Sequence, residues 1–179
     1  HRLDQPVEGV MVFAKNQKAA ASLSRQIKEH TTEKYYHAAS RGHGVSGADN
    51  KEDNHDPAWH TLTDYISFDK RTNTSKITSE KDRLAKKAVL QYRILSNECN
   101  KTEFDIKLLT GRHHQIRLQL ANIGYPLIGD TKYGKPASNN SGTGSKSGRT
   151  GGGVREQLAL CSYKLVFDHP ATGERMTFE

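Results

Sequence analysis

The stretch Val89–Gly124, VLQYRILSNECNKTEFDIKLLTGRHHQIRLQLANIG, decides the architecture, because strand-like segments give way there to a helix-like one. Val89 to Leu95 and Glu103 to Leu109 each mix β-branched or aromatic residues with polar partners, the pattern of strands with one wet side. Thr110-Gly111-Arg112 is a turn signal, and beyond it Ile116, Leu120 and Ile123 fall at helical spacing. The spacing predicts a short helix over His114 to Ile123, ended by Gly124.

Further strands are expected on either side of this stretch. Lys34 to Ser40 is tyrosine-rich and extended in character, Thr61 to Phe68 and Leu158 to Phe167 read as strands, and Arg175 to Phe178 forms a last strand after a turn at His169-Pro170. The segment Asp69 to Arg83 is charged and turn-rich. Near the start, Val10 to Ala14 is an apolar run that reads as a strand buried on both faces. A helix is predicted from Asn16 to about Glu29, with Ala19, Ala20, Leu23 and Ile27 on its apolar side and Asn16 as N-cap. Strands outnumber helices, and their connections are too irregular for repeated βαβ units. The expected class is therefore α+β with a mixed, largely antiparallel sheet.

A chain of 179 residues can bury one real core, so a single domain over residues 1–179 is expected. Apolar residues make up 34% of it, below the roughly 45–50% of an average globular domain, so polar loops must dilute the core. Two such loops are expected, at about 42–57 and 136–155; the first is rich in Asp, Asn and Glu, the second almost pure Ser, Gly, Asn and Thr. His1-Arg2-Leu3-Asp4 is neither a signal peptide nor a natural start, so an N-terminally incomplete domain is expected.

The balance of 27 Lys+Arg against 20 Asp+Glu, a formal +7, is the footprint of a protein that meets polyanions. Cys99 and Cys161 are too few and too far apart for a zinc ribbon or a disulfide scaffold; two ordinary buried thiols fit a reducing, cytoplasmic setting. Nothing approaches the apolar run of about 18 residues that a membrane helix needs.

Three segments combine groups that a site could use: His1 to Asp4, Lys34-Tyr35-Tyr36, and Gly111 to Arg117. Asp4 sits just before a turn, where its carboxylate either faces a cleft or caps the turn. Tyr36 could stack on a nucleobase or be a half-buried strand tyrosine. Arg117 could pair with a carboxylate through its planar fork or be a solvated helix charge. Adjacent His113 and His114 are expected to point apart on a helix and lack the spacing of a helical zinc pair, so no metal site is expected. The glycine-rich run 142–153 lacks the order of a phosphate-binding loop.

The joint spacing of five segments resembles an RluA-type pseudouridine synthase. They are His1-Arg2-Leu3-Asp4 with Gly9 and the run to Lys15; Lys34-x-Tyr36-x-Ala38; Gly111-Arg112-x-His114-Gln115-Ile116-Arg117; Gly129-Asp130-x-x-Tyr133-Gly134; and His169-Pro170. The chain departs from the pattern at Val7-Glu8, where Thr-Ser is common, and at Cys161-Ser162, where His-Ala is frequent. The resemblance implies a central mixed sheet with flanking helices and an RNA cleft across it. It implies Asp4 as nucleophilic carboxylate, Tyr36 as active-site tyrosine and Arg117 as the arginine that pairs with the aspartate. Arg2, Lys34, Arg112, His114, Gln115 and Lys132 are the RNA contacts expected with it, and Lys15 and Lys135 are further phosphate candidates. A monomer acting on ribosomal or transfer RNA is expected, with no cofactor, metal or membrane partner. An RNA-binding protein without catalysis, or a metal-dependent hydrolase built on the histidine pair, would be the alternatives.

Overall fold

The computed structural model describes residues 2–41, 56–98, 101–134 and 156–179, with side chains from residue 58 onward in the second of these segments. The expected loop at 136–155, Lys135, Cys99 and all but the last two residues of the expected loop at 42–57 lie outside the described residues. In chain order the elements are β1 (Glu8–Gly9), α1 (Gln17–Lys28), β2 (Glu33–Arg41), β3 (Asp56–Asp69), β4 (Thr74–Thr78), β5 (Lys86–Glu98), β6 (Lys101–Leu108), α2 (Gln115–Asn122), β7 (Leu160–Asp168) and β8 (Arg175–Phe178).

The strands join in the order β1-β7-β2-β6-β5-β3-β4, and β8 adds to β7. Every pairing is antiparallel except that of β1 with β7. This is the mixed, largely antiparallel sheet expected of the α+β class.

Alternation builds the sheet. In β2, Lys34, Tyr36, Ala38 and Ser40 are buried and the residues between them are not, as a period of two requires when one face carries the core. Their partners on the same face include Phe104 and Ile106 of β6. These pack with Leu90 of β5 and with Ile116 and Leu120 of α2 into the largest apolar cluster. Leu23 of α1 packs on Leu165 and Phe167 of β7. Because Leu165 is paired with Lys34, both helices lie on the face that holds Tyr36. Among the described residues, no helix is long and apolar enough to cross a membrane.

The first helix forms where its sequence predicts, with the Asn16 side chain accepting the Ala19 amide at 2.9 Å. Its inner face differs in detail: Ala20 is exposed, whereas Gln26 is buried. The Gln26 amide explains this, because it donates to the Asp168 carbonyl and accepts the Asp168 amide, each at 2.8 Å, and so acts as a strand partner at the end of β7.

Three expectations are corrected. Val10–Ala14 is not a strand buried on both faces: ladder pairing stops at Gly9, Val10 and Val12 pack toward the Leu23 cluster, and Phe13 is 78% exposed. The charged segment Asp69 to Arg83 contains a strand, β4, which goes unseen because its five residues are too few to show a period between charged turns. Asp56 and Pro57 open β3 and do not extend the preceding loop.

Candidate active site

A cavity of about 110 Å³ opens where three sequence-distant segments meet. Asp4 enters from the N-terminal turn, Tyr36 from β2, and Arg117 from the first turn of α2, with the Gly111 to His114 loop forming another wall.

The Asp4 carbonyl accepts the Val7 amide at 2.8 Å and closes a turn over Gln5 and Pro6. The backbone thus closes the turn, and the carboxylate borders the cavity. Gly9 anchors this turn to the sheet. It pairs with Ser162 at φ +128, and a Cβ there would lie 2.1 Å from the Ser162 carbonyl oxygen, so only glycine permits the approach. Ser162 is also the register partner of Tyr36, which ties the Asp4 turn and the tyrosine to one residue of β7.

Tyr36 sits at an irregularity between β2 and β7, where the register shifts between Tyr35 and Tyr36. Bulges of this kind re-aim side chains beside functional sites. Tyr36 stays in the helix-bearing face, while Tyr163 stacks on His37 with centroids 3.9 Å apart. Burial pushes the Tyr36 phenol up to about 12, an effect opposed by Ser162 and reinforced by Asp4, so the ring carries an uncharged hydroxyl at neutral pH.

Arg117 is 4% exposed and gives its fork to Asp130: Nε to Oδ2 at 2.8 Å and Nη2 to Oδ1 at 2.7 Å. Asp130 Oδ1 also accepts the amides of Lys132 and Tyr133 at 2.8 and 3.0 Å. Gly129, at φ +75, makes the turn that delivers this carboxylate. Burial would raise the Asp130 carboxyl, but the Arg117 and amide hydrogen bonds outweigh it and hold the group below its ordinary value. For Arg117, burial is likewise outweighed by Asp130 and, through space, by Asp4. The fork of Arg117 is thus held by Asp130 and not by Asp4, which corrects the expected pairing; Asp4 borders the same cavity and is felt by the arginine only through space.

The histidine pair does not point apart on a helix. His114 precedes α2 in the left-handed region, φ 53, and its ring lies 3.7 Å from that of His113. His113 Nδ1 meets Ser75 Oγ at 2.9 Å, and His114 Nδ1 meets Tyr133 Oη at 2.9 Å. His114 Nε2 lies 3.8 Å from Asp4 Oδ2. Burial, with Arg117, His113 and Lys132 nearby, lowers His114 to about 3, so it is neutral at pH 7. His113 is also lowered, chiefly by burial.

The expected RNA contacts divide. Arg2, Arg112, His114 and Gln115 border the cavity; Lys34 and Lys132 do not. Gln115 is 2% exposed and spends its amide inside the fold, accepting from Thr110 Oγ1 and the Arg112 amide and donating to Gln119. It shapes the loop. Lys34 is buried, which lowers its ammonium, and its Nζ lies 3.7 Å from where a Gly111 Cβ would stand. Lys132 donates to the Asn73 carbonyl at 2.7 Å. Cys161 is half-buried, and burial raises its thiol. Among the described residues, no three His, Cys, Asp or Glu gather as a metal site.

Sequence reasoning assigned no role to Asp130, Tyr133, Ser75 or Ser162. Asp130 carried a usable signal: an Asp after a glycine, whose side chain caps the amides two and three residues on. The approach of Ser75 depends on an edge strand that no pattern announced.

Residues 1–122 match the family model described as RNA pseudouridylate synthase. The chain is 34% identical over 187 residues to an uncharacterized RNA pseudouridine synthase of Aquifex aeolicus (strain VF5), covering 100% of this chain and 51% of that protein. It is 30% identical over 187 residues to ribosomal large subunit pseudouridine synthase D of Neisseria meningitidis serogroup B (strain ATCC BAA-335 / MC58), covering 100% and 43%. The chain thus spans about half the length of the curated relatives it matches. The structure of human RNA pseudouridylate synthase domain containing 1 superposes with a TM-score of 0.67 at 25% identity, covering 99% of this chain and 65% of that one.

Proposed function

The chain belongs to the RNA pseudouridylate synthase family, in its RluA-type branch, and from this premise we propose that it isomerises specific uridines of structured RNA, ribosomal or transfer RNA, to pseudouridine, with Asp4 as the nucleophilic carboxylate. Residues 1–179 serve as one catalytic domain in this reading. The observation that carries it is the meeting of Asp4, Tyr36 and Arg117 at one cavity although they come from three separate segments.

The reaction breaks the bond between the ribose anomeric carbon and N1 of uracil, turns the base, and forms a bond from the same carbon to C5; C5 loses its proton and N1 gains one, so the product is an isomer. Asp4 acts at the sugar, either by attacking the anomeric carbon or by assisting elimination to a glycal-like intermediate. Arg117 keeps the carboxylate charged as the closing cleft strips away water, with Asp130 holding the guanidinium in place. Tyr36 offers a ring face to the extruded uracil, and the resemblance adds a second role, removal of the C5 proton, for which its hydroxyl, uncharged at rest, first gives up its own proton. Extrusion costs a few kcal/mol, which stacking on Tyr36 and phosphate contacts from Arg2 and Arg112 offset.

Pseudouridine mapping in RNA from cells with and without the gene tests the reading. Loss of pseudouridine at defined ribosomal or transfer RNA positions, restored by the gene, is the expected result; an unchanged map would overturn it.

A further inference from the structure

With the Arg117 fork given to Asp130, Asp4 needs another group to fix its orientation, and the loop before α2 brings one opposite it. We propose that His114 is a positioning residue for Asp4: Tyr133 sets its ring as the neutral tautomer that carries the proton on Nε2, and this N–H aligns the carboxylate. The inference rests on the functional reading above, in which Asp4 is the reacting group.

A count of hydrogens favours this tautomer. Tyr133 Oη accepts the Ser75 backbone amide at 3.0 Å, so its own single hydrogen is available for His114 Nδ1, 2.9 Å away. An imidazole that accepts at Nδ1 carries its proton on Nε2, and Nε2 is the atom 3.8 Å from Asp4 Oδ2. That separation is longer than a hydrogen bond. Such contacts are often long in sites without substrate and shorten when it binds.

Neighbours on two sides restrain the ring. The His113 ring lies against one side at 3.7 Å between centroids, and Tyr133 meets it edge-on at 5.6 Å. Tyr133 is itself held from two directions, by the Asp130 carboxylate through its amide and by the Arg117 guanidinium 5.3 Å from its ring centroid. Asp130 therefore serves both partners of Asp4: it grips Arg117 directly and fixes the turn that carries Tyr133.

Neutrality matters chemically. Burial beside Arg117 and Lys132 keeps His114 uncharged. A neutral N–H can orient a carboxylate without donating its proton outright, so the negative charge stays on the oxygen that must act at the sugar. An imidazolium in the same place would hold Asp4 in an ion pair.

The test compares two substitutions whose structural and chemical rankings are opposite. In His114→Gln the amide nitrogen can reach the place of Nε2; in His114→Asn it reaches only that of Nδ1. The backbone at φ 53 favours Asn over Gln, so a purely structural role ranks Asn first. The proposal ranks Gln first. The rate of tritium release is measured in single turnover with saturating full-length protein, on 5-tritiated uridine RNA from a host lacking the gene. At that saturating protein concentration His114→Gln should keep the rate within about tenfold and His114→Asn should lose about a hundredfold. An Asn variant as fast as the Gln variant, or faster, overturns the proposal.

A measurement on the unsubstituted protein removes dependence on variant folding. Long-range proton–nitrogen spectra of ring-labelled histidine should show His114 as the neutral Nε2–H tautomer at pH 7; the Nδ1–H tautomer or an imidazolium overturns the proposal. If the unsubstituted protein releases no tritium from any RNA tested, the functional reading fails, whereas a normal rate with the wrong tautomer fails the positioning role alone.

Discussion

Arg117 and Asp130 form a two-pronged ion pair at 2.8 and 2.7 Å, and Asp4 shares the charge of that arginine without sharing its fork. The side chains are 5% and 0% exposed, so removing either partner strands a buried charge. Asp130→Ala should lower unfolding stability by about 3 kcal/mol or more. Arg117→Ala should cost a similar amount, and the double variant should lose less than the sum, because neither charge is then stranded. Urea unfolding of the three variants checks this; strict additivity would show that the pair is not coupled.

Gly9 joins the Asp4 turn to Ser162, with no room for a Cβ. Gly9→Ala should separate β1 from β7, lower stability on the order of 2 kcal/mol, and cut tritium release at least about tenfold by displacing Asp4. Thermal melting and single-turnover rates measure the two effects. An unchanged rate would mean that the turn is positioned from elsewhere.

Much of the fold could be read from the sequence, and the failures share a cause. Strands such as β2 and β8, and both helices, announce themselves by period and capping, and the structure has them within a few residues of the expected ends. Val10–Ala14 misled because an apolar run does not reveal that Gly9 ends the pairing and leaves Phe13 in solvent. The Thr74–Thr78 strand, though Thr74, Ile77 and Thr78 suit a strand, was too short to show a period before its pairing with β3 was seen. The site divides the same way. Asp4, Tyr36 and Arg117 stood out by motif spacing with roles attached; Asp130 and Tyr133 stood in a motif without a role, which only their three-dimensional contacts supply, and Ser75 stood in none. The orientation of His114 depends on a left-handed backbone that a helical pattern does not foretell.

Glu33 should govern part of the acid stability. It accepts from Tyr35 Oη at 2.6 Å, Lys107 Nζ at 2.9 Å and Arg175 Nη2 at 2.8 Å, and these hold its carboxyl down from 4.5 to about 2. A depressed carboxyl contributes stability that is fully present above its unfolded value and is lost as pH falls through its folded value. The melting difference between the wild-type chain and Glu33→Gln should therefore be constant above about pH 4.5 and shrink toward pH 2. A constant difference across that window would exclude the linkage.

His114 should not titrate in the working range. Its folded value near 3 lies below the ordinary 6.5, so the imidazole is neutral between about pH 5 and 8. The sign matches that of a depressed carboxyl: the unfolded chain takes up the proton first, so stability falls as pH drops from 6.5 toward 3. A single-turnover pH–rate profile should show no histidine limb near pH 6.5; a limb there that vanishes in His114→Gln would refute the neutral state.

Asp4 is the group that acts on the uridine in this mechanism. The most direct measurement is tritium release from RNA labelled at uridine C5, with RNA binding followed in parallel, for the wild-type protein and Asp4→Asn. Release by the wild type, none by the variant, and RNA affinities within a few-fold of each other are expected; undiminished release by Asp4→Asn would exclude Asp4 as the reacting group.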